Sequence, residues 1–195
     1  MQHPRPDEVS TPHWDALDGF PPVIQPEHAV AAVLVPLYLD KDEAVRVIMT
    51  KRPDNMRTHP GDVVFPGGRF EAGESAVDAA IREACEEVAL PPNAIHVVGG
   101  LTPLTTRDPR NLIVPVVARV HRPDVLVPQP EEVEVILEPT IGDLLDDTRW
   151  RVSEWFGNNL WFYDFPEATL WGATAFMVRE LLEYFRSASP PRMTY

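Results

Sequence analysis

The stretch GGRFEAGESAVDAAIREACEEVAL, residues Gly67 to Leu90, decides how this chain is interpreted. From Glu74 to about Leu90, apolar residues recur at the spacing of one helix face, which predicts an amphipathic helix. The apolar stripe consists of Val77, Ala80, Ile81, Ala84, Cys85 and Val88. The pair Gly67 and Gly68 precedes the helix, and glycines allow a backbone to approach a ligand closely.

Three carboxylates, Glu83, Glu86 and Glu87, crowd one side of this predicted helix. At about 100° per residue they fall within an arc of about 100°, opposite the apolar stripe, so we expect them to project together away from the core. Like charges at these spacings repel by roughly a few tenths of a kcal/mol per pair, and only Arg82 stands close in sequence to offset them. Either water or hard divalent cations, which bind carboxylate oxygens, would relieve the repulsion.

The polar residues of the stretch have the spacing of the Nudix box, G-x5-E-x7-R-E-U-x-E-E-x-G-U, where U is a bulky apolar residue. The residues in register are Gly68, Glu74, Arg82, Glu83, Ala84, Glu86, Glu87, Ala89 and Leu90. The chain therefore resembles the Nudix hydrolases. Ala84 is smaller than the usual apolar residue, and Ala89 replaces the glycine that ends the helix. If Ala89 is left-handed, alanine costs about 1–2 kcal/mol there.

The resemblance implies an α/β fold, a Nudix-type α/β/α sandwich with a mixed β-sheet, and hydrolysis of a nucleoside diphosphate linked to another moiety. It implies that the cofactor is Mg²⁺ or Mn²⁺. The metal ligands would be Glu83, Glu86, Glu87 and the carbonyl oxygen of Gly67 or Gly68. Arg82 would orient the acids, paired with Glu74, although charge complementarity at the helix N-terminus would also explain Glu74.

A second pattern lies upstream, in IMTKRPDNMRTHPGDVVFPGG from Ile48 to Gly68. It resembles the signature of the coenzyme A pyrophosphatase branch of the family, roughly LLTxR[SA]xxxRxxxGxxxFPGG, although Pro53 replaces the usual Ser or Ala. The residues in register are Thr50, Arg52, Arg57, Gly61, Phe65, Pro66, Gly67 and Gly68. By this resemblance, Arg52, Arg57 and the two glycines bind substrate. Arginines suit phosphates, and coenzyme A carries a 3′-phosphate besides its pyrophosphate; a solvated basic loop is the alternative.

Three weaker similarities extend the resemblance. In PEEVEVILEP, Glu131 aligns best with a further acid of many Nudix enzymes, with Glu132 and Glu134 close behind. One of them would be a general base or would support the metal ligands, and solvent-facing strand acids are the alternative. Trp171, in LWGATA, is interpreted as a core residue rather than a platform for substrate. LTPLTT followed by LIVPVV matches the family's strand pattern, although the connection between them, RDPRN (residues 107–111), departs from the family's short Ser-Gly connection.

The rest of the chain predicts mixed strands around two main helices. The predicted strands are AVAAVLVPLYL (Ala29–Leu39) with VRVIMT (Val45–Thr50) as its hairpin partner, AIHVVGGL, NLIVPVVARV, EVEVIL, and a hairpin of WRVSEWF with LWFYDF. IGDLLDD predicts a short helix and Ala168–Phe185 a long amphipathic one. We expect a proline-rich extension over residues 1–27, the Nudix hydrolase domain over 28–187 and a tail over 188–195.

Composition narrows the function further. The formal net charge is −13, which disfavours nucleic acid as a partner because binding it requires a basic surface. The chain has one cysteine, so no intrachain disulfide can form and a reducing compartment is expected. No apolar run reaches the roughly 18 residues of a membrane span, and the first residues lack a signal-peptide core. We therefore expect a cytoplasmic protein with no membrane partner.

Together these observations predict a metal-dependent enzyme that hydrolyses the pyrophosphate of coenzyme A or acyl-CoA. The products would be adenosine 3′,5′-bisphosphate and 4′-phosphopantetheine or its acyl form. Two alternatives stay open: a Nudix pyrophosphatase for another nucleotide, such as ADP-ribose or NADH, and a non-catalytic domain that binds nucleotides and regulates a partner. The sequence also leaves open a homodimer, the acyl preference and the choice of general base.

Overall fold

The apolar run Ala29–Leu39 forms the long central strand of the computed structural model, which describes residues 14–105, 112–155 and 158–186. The tail predicted over 188–195, the connection at 107–111 and the first part of the N-terminal extension lie outside the described residues. The strands are β1 (Ala29–Leu39), β2 (Val45–Val47), β3 (Met49–Lys51), β4 (Val63–Val64), β5 (Gly67–Arg69), β6 (Ile95–Gly100), β7 (Leu104–Thr105), β8 (Leu112–Val120), β9 (Val135–Leu137), β10 (Trp150–Trp155), β11 (Asn158–Asp164) and β12 (Thr169–Leu170). The helices are α1 (Ala76–Val88), α2 (Ile141–Leu145) and α3 (Gly172–Arg186), with 3₁₀ turns at Trp14–Gly19, Pro92–Ala94 and Asp147–Arg149.

The larger sheet is mixed, as predicted. Strand β1 pairs in parallel with β8 and antiparallel with β2 and β5, while β8 pairs antiparallel with β6 and β7. A parallel pair requires a crossover connection, and α1 lies within the one that joins β1 to β8. Two antiparallel three-stranded sheets accompany it, in the orders β4-β3-β9 and β10-β11-β12.

Alternate residues of β1 face two different hydrophobic layers, which is the pattern of a strand buried on both faces. Ala32 and Leu34 contact the layer that contains the buried residues of α1. Val35 and Leu37 contact the opposite layer, which contains the buried residues of α2 and α3. The helices thus cover both faces of the sheet, and the predicted α/β/α sandwich is confirmed.

The prediction of one partner strand over Val45–Thr50 is wrong in one respect. The chain changes sheets at Ile48: the N–H of Ile48 still donates to the Pro36 carbonyl of β1 at 3.0 Å, while the N–H of Val47 donates to the carbonyl of Pro139 at 3.2 Å. Residues 49–51 then pair with β4 and β9 instead of β1. A single apolar run is therefore divided between two sheets.

Helix α1 begins and ends close to the predicted residues. Ser75 caps it: its hydroxyl accepts the N–H of Asp78 at 3.2 Å, and the Asp78 carboxylate accepts the N–H of Ser75 at 3.3 Å. This reciprocal pair is a capping box. The helix ends at Ala89, with φ 55° and ψ 37°. Alanine therefore occupies the left-handed region where the Nudix box has glycine.

The buried face of α1 is rotated from the predicted stripe. The buried residues are Ala76, Ala79, Ala80, Ala84, Glu87 and Val88, whereas Val77, Ile81 and Cys85 are only partly buried. The reason is the segment 126–133, which runs along the end of the helix. Its Val127 and Gln129 N–H groups donate to the carbonyls of Val88 and Glu87, at 3.2 and 2.8 Å. This segment covers a side of the helix that was predicted to face solvent, because it lies opposite the apolar stripe.

The last helix is shorter than predicted at its start. Thr169 and Leu170 pair with β11, and α3 begins only at Gly172, which has φ 63°. The predicted strand and hairpin assignments over residues 95–100, 112–120 and 150–164 are confirmed, and EVEVIL shortens to β9. Among the described helices, none combines the length and apolar character that crossing a membrane requires.

Candidate active site

The glycine pair places a strand directly beside the acids of α1. Gly67 and Gly68 belong to β5, which pairs with β1 opposite Val33 and Ala32. A Cβ added to Gly67 would overlap the β1 backbone, and one added to Gly68 would overlap the carboxylate of Glu83. Glycine is therefore required at position 68 to make room for an acidic side chain.

Arg82 connects the acids with the loop before the helix. Its Nε and Nη2 atoms donate to both carboxylate oxygens of Glu74, at 2.7 and 3.0 Å. Its Nη1 atom donates to Glu83 at 2.9 Å and to Glu86 at 3.1 Å, and Nη2 also reaches the carbonyl of Arg69 at 3.1 Å. The predicted pairing of Arg82 with Glu74 is confirmed. One guanidinium group thus fixes the orientation of three carboxylates.

The acids do not project together into solvent, contrary to the expectation from helix geometry. Glu87 is only 3% exposed, whereas the Glu86 side chain is 60% exposed and contacts Arg82. Burial, helped by the nearby charges of Glu132 and Glu83, raises the pKa of Glu87 to about 8. The Arg52 charge and the Gly67 N–H oppose this shift. Burial likewise raises the pKa of Glu83, against the lowering effect of Arg82.

A third acid completes a group with two of those on α1. Among the described residues, one carboxylate oxygen each from Glu83, Glu87 and Glu132 lies within 4.8 Å of the others. Gln129 connects the two parts of this group. Its N–H donates to the carbonyl of Glu87, while its carbonyl oxygen accepts the N–H of Glu132 at 3.0 Å. We call Glu83, Glu87 and Glu132 the acid triad.

The other candidate acids of this segment lie elsewhere. The Glu131 N–H donates to the Gln129 side chain at 2.5 Å, and the Glu131 side chain is exposed. Glu134 forms an ion pair with the nearly buried Lys51, with 2.9 Å between Nζ and Oε2, and its N–H donates to the Lys51 carbonyl at 2.8 Å. Sequence alignment ranked Glu131 first because it could not reveal the turn at Gln129. The structure instead brings Glu132 to the α1 acids.

The predicted substrate-binding arginines occupy different environments. Arg52 follows β3 directly, and its Nε atom is buried with no hydrogen-bond partner in the part of the chain that the structure describes. Its charge also acts on Glu87, as the pKa of that group shows. Arg57 is exposed on the loop between β3 and β4. Arg52 thus lies near enough to Glu87 for their charges to interact, and Arg57 lies on the surface further along the loop.

Trp171 is partly buried, and its indole N–H donates to Asp62 at 3.0 Å. No sequence pattern indicates this contact, because 109 residues separate the two side chains. A cavity of about 800 Å³ opens elsewhere, between β7, the start of β8, Trp161 and α3, and no member of the acid triad lines it. The acid triad therefore lies outside this cavity.

The donor set suits a divalent cation. Three carboxylates converge from two elements, and oxygen ligands are those that Mg²⁺ and Mn²⁺ prefer. The raised pKa of the buried Glu87 shows that its negative charge is poorly compensated by the protein alone. A cation at this point would offset that charge. The residues present therefore fit the metal that the sequence predicts.

Comparisons with known proteins identify the family. The NUDIX domain family model matches residues 27–160. A protein from Enterobacter sp. (strain 638) named "Uncharacterized Nudix hydrolase NudL" is 34% identical over 157 residues, which cover 77% of this chain and 80% of the relative. A protein of the same name from Yersinia pestis (strain Pestoides F) is 29% identical over 189 residues, or 94% of this chain and 89% of the relative.

Solved structures show the same fold at lower identity. The Nudix hydrolase RenU from M. smegmatis superposes with a TM-score of 0.52 at 20% identity, over 61% of this chain and 74% of that protein. DR0079 from Deinococcus radiodurans gives a TM-score of 0.51 at 18% identity, over 78% and 82%. The matched model spans more than half of the sequence and includes both the glycine pair and the acid triad. The chain therefore belongs to the Nudix hydrolase family.

Proposed function

We propose that this Nudix hydrolase cleaves the pyrophosphate bond of coenzyme A or acyl-CoA. The family assignment supports hydrolysis of a pyrophosphate in a nucleotide-like substrate. The observation that carries the proposal is the position of Arg52, whose unpaired buried Nε lies in the same neighbourhood as the acid triad. Arg52 belongs to the stretch that resembles the coenzyme A pyrophosphatase signature, so the substrate proposal rests on that resemblance and on this placement. The catalytic domain in this proposal spans residues 28–187.

The acid triad is the proposed metal site, with Glu86 and the glycine carbonyls of β5 as further candidate ligands. When bound, Mg²⁺ or Mn²⁺ would neutralise pyrophosphate oxygens and lower the pKa of an attacking water. Glu83 and Glu87 would supply ligand oxygens from α1, and Glu132 would supply one from the segment before β9. Arg82 would hold Glu83 and Glu86 in place through the contacts described above. In this way a single helix presents its ligands in a fixed arrangement.

The protein's own groups would also bind and orient the substrate. Arg52 has N–H donors for a phosphate oxygen, and arginine recognises phosphate with a planar set of such donors. Arg57, exposed on the same loop, would bind a more distant phosphate, which in coenzyme A is the 3′-phosphate. Glu132, the exposed member of the triad, is our candidate for accepting a proton from the attacking water, with Glu131 and Glu134 as the alternatives.

The test is cleavage of coenzyme A, dephospho-coenzyme A, ADP-ribose and NADH, each with Mg²⁺ and with Mn²⁺. We expect coenzyme A to give the highest kcat/KM and dephospho-coenzyme A a lower value. The Glu87→Gln variant should lose turnover, because it removes a charge that the proposed metal requires. Glu154→Gln, which deletes an exposed acid on the β10–β11 hairpin, is the matched control and should retain it.

Each other outcome has a definite meaning. A preference for ADP-ribose or NADH would overturn the coenzyme A proposal and leave the proposed metal site intact. Turnover by the Glu87→Gln variant at the wild-type rate would overturn the proposed metal site. If nucleotides bind to the protein and none is cleaved with either metal, a non-catalytic nucleotide-binding domain would replace the enzyme as the interpretation of this protein.

A further inference from the structure

Asp62 connects two parts of the chain that are remote in sequence. We call residues 52–61 the basic loop; Asp62 follows it and precedes β4. The Asp62 carbonyl accepts the N–H of Arg52 at 3.0 Å, which closes the loop. One carboxylate oxygen lies 3.0 Å from His59 Nδ1, and the other accepts the indole N–H of Trp171 at 3.0 Å. A side chain that is 21% exposed thus contacts the loop and the start of α3 at once.

The basic loop has a conformation that needs such support. His59 has φ 53° and Gly61 has φ 69°, both in the left-handed region. Histidine is disfavoured there because of its Cβ, so neighbouring contacts must hold it. The contact between the His59 ring and the Asp62 carboxylate is one of them, and the Asp62 N–H also donates to the His59 carbonyl at 3.3 Å. Asp62 therefore supports the loop at His59, through its side chain and its backbone N–H.

Trp171 provides the fixed end of this connection. Its ring lies parallel to that of Phe162 on β11, with centroids 6.5 Å apart and 5° between the planes. The guanidinium of Arg151 lies 5.3 Å from the Phe162 ring centroid. Trp171 also precedes α3, whose buried residues belong to the core. The indole is thus supported by the hairpin and by the last helix, and both are remote in sequence from the basic loop.

One residue of the basic loop that matters for substrate binding in the proposed function is Arg52. Arg52 begins the loop, and its N–H donates to the backbone carbonyl of Asp62. Its Nε is buried without a partner in the described part of the chain. A guanidinium whose buried Nε has no partner there, and whose charge acts on Glu87, is a donor available to an anion. Arg52 begins the loop directly after β3, and at the other end of the loop the Asp62 side chain contacts His59 and Trp171.

We propose that Asp62 is a positioning residue that fastens the basic loop to Trp171 and so holds Arg52 toward a phosphate of the substrate. The inference rests on the proposed function for the identity of that phosphate. A donor that is already in place loses less conformational freedom on binding, so the contact strengthens substrate binding. Asp62 does not touch the reacting atoms in this account. Its loss should therefore raise KM and leave kcat nearly unchanged.

The kinetic test compares three variants. Asp62→Ala removes the acceptor, and Trp171→Phe removes the donor while keeping an aromatic ring. Each should raise the KM for coenzyme A by about tenfold with kcat within about twofold of the wild type. The double variant should be little worse than either single one, because both remove the same hydrogen bond. Asp62→Asn keeps an oxygen that accepts the indole N–H, and it should restore KM most of the way.

A second readout follows the hydrogen bond itself. The indole N–H signal of Trp171 in an NMR spectrum is identified as the one that Trp171→Phe removes. In Asp62→Ala its exchange with solvent should accelerate, and in Asp62→Asn it should remain slow. Binding of inorganic pyrophosphate, measured by calorimetry with Mg²⁺ present, should weaken about tenfold in Asp62→Ala.

Asp40 offers a matched control. It also anchors a loop, since its carboxylate accepts Arg46 Nε at 2.6 Å and the N–H groups of Asp42 and Ala44 at 2.9 and 3.0 Å. Its side chain is 14% exposed, close to that of Asp62, but it lies at the end of β1 where β2 begins. Asp40→Ala should lower the unfolding midpoint and leave KM unchanged.

A folded Asp62→Ala protein with wild-type KM and wild-type pyrophosphate affinity would overturn the proposal. So would a parallel fall of kcat and of the unfolding midpoint with unchanged KM, because that result indicates a purely structural role. If the wild type cleaves no coenzyme A, the proposed function fails. The indole exchange and pyrophosphate binding then still decide the role of Asp62.

Discussion

The carboxylate of Glu83 occupies the space that a side chain at Gly68 would fill. The glycine of the motif is thus explained by its partner on α1 rather than by its backbone angle. We predict that Gly68→Ala displaces Glu83 and lowers metal affinity and kcat by about 10- to 100-fold, with the fold retained. Titration with Mn²⁺ and the rate of substrate cleavage measure the two effects.

The control for this substitution is Gly142→Ala. A Cβ at Gly142 would meet the Thr140 hydroxyl at 3.7 Å, an ordinary contact, so activity and stability should stay near those of the wild type. Wild-type metal affinity in Gly68→Ala would show that Glu83 can occupy another position without cost.

The next prediction concerns the acid that joins the α1 pair. Because Glu132 belongs to the triad and Glu131 does not, Glu132→Gln should lower kcat by about 100-fold and Glu131→Gln by less than about threefold. Initial rates at saturating substrate and metal decide this. The reverse order of the two variants would restore the ranking that sequence alignment favoured. Glu134→Gln should act through stability instead, since it leaves the nearly buried Lys51 without this partner.

Arg82 provides a third prediction, which depends on the shape of its guanidinium. Lysine has one ammonium group and cannot contact Glu74, Glu83 and Glu86 together, so Arg82→Lys should lower kcat by about 10- to 100-fold. Arg151→Lys is the matched control, because Arg151 contacts Asp164 with two nitrogens at 2.9 and 2.8 Å on the hairpin. Equal losses in both variants would contradict a role for Arg82 in orienting the acids.

Glu87 should make the metal-free protein less stable as pH rises. Its pKa in the folded state, about 8, lies above the ordinary 4.5, so the carboxyl is neutral in the folded protein when it would already be ionised in the unfolded chain. The contribution of Glu87 to the free energy of unfolding is therefore fully present below about pH 4.5. It falls by about 3–5 kcal/mol as pH rises to 8. Urea unfolding in the presence of a chelator, at pH 5, 7 and 9, measures the decline.

Glu87→Gln isolates this contribution, because the amide does not titrate. The difference in unfolding free energy between the variant and the wild type should grow in favour of the variant from pH 5 to pH 9. A constant difference would show that Glu87 has an ordinary pKa. With Mg²⁺ in place of the chelator, the decline in the wild type should become smaller, since the cation binds the ionised form.

Ala89 gives a prediction about stability alone. A left-handed alanine that is exposed makes few contacts to lose, so Ala89→Gly should raise the free energy of unfolding by about 1 kcal/mol. Ala173→Gly in α3 has no left-handed angle to relieve and should lower it instead. Urea midpoints for the two variants should therefore move in opposite directions. A drop in Ala89→Gly would mean that glycine loosens the end of the helix.

The sequence predicted the long elements well, because their periodicity is carried by many residues. Strand β1 occupies the predicted range, and α1 differs from its prediction by two residues at each end. The burial of Glu87 could not be predicted, because it arises from the segment 126–133, whose contact with α1 is not encoded in the helix itself. The same limit applied to Glu132, where one turn at Gln129 decides which of two adjacent acids faces the site.

The split of one apolar run at Ile48 has a mechanical consequence. Strands β1 and β5, which support α1, belong to the six-stranded sheet, whereas Lys51 and the segment after Glu132 pair within a three-stranded one. Glu83 and Glu87 are therefore carried by one sheet, and Glu132 is carried by the other. An ion bound by all three would link the two sheets. A small shift of one sheet relative to the other would then change the distances between that ion and its ligands, without any change in the fold of either sheet.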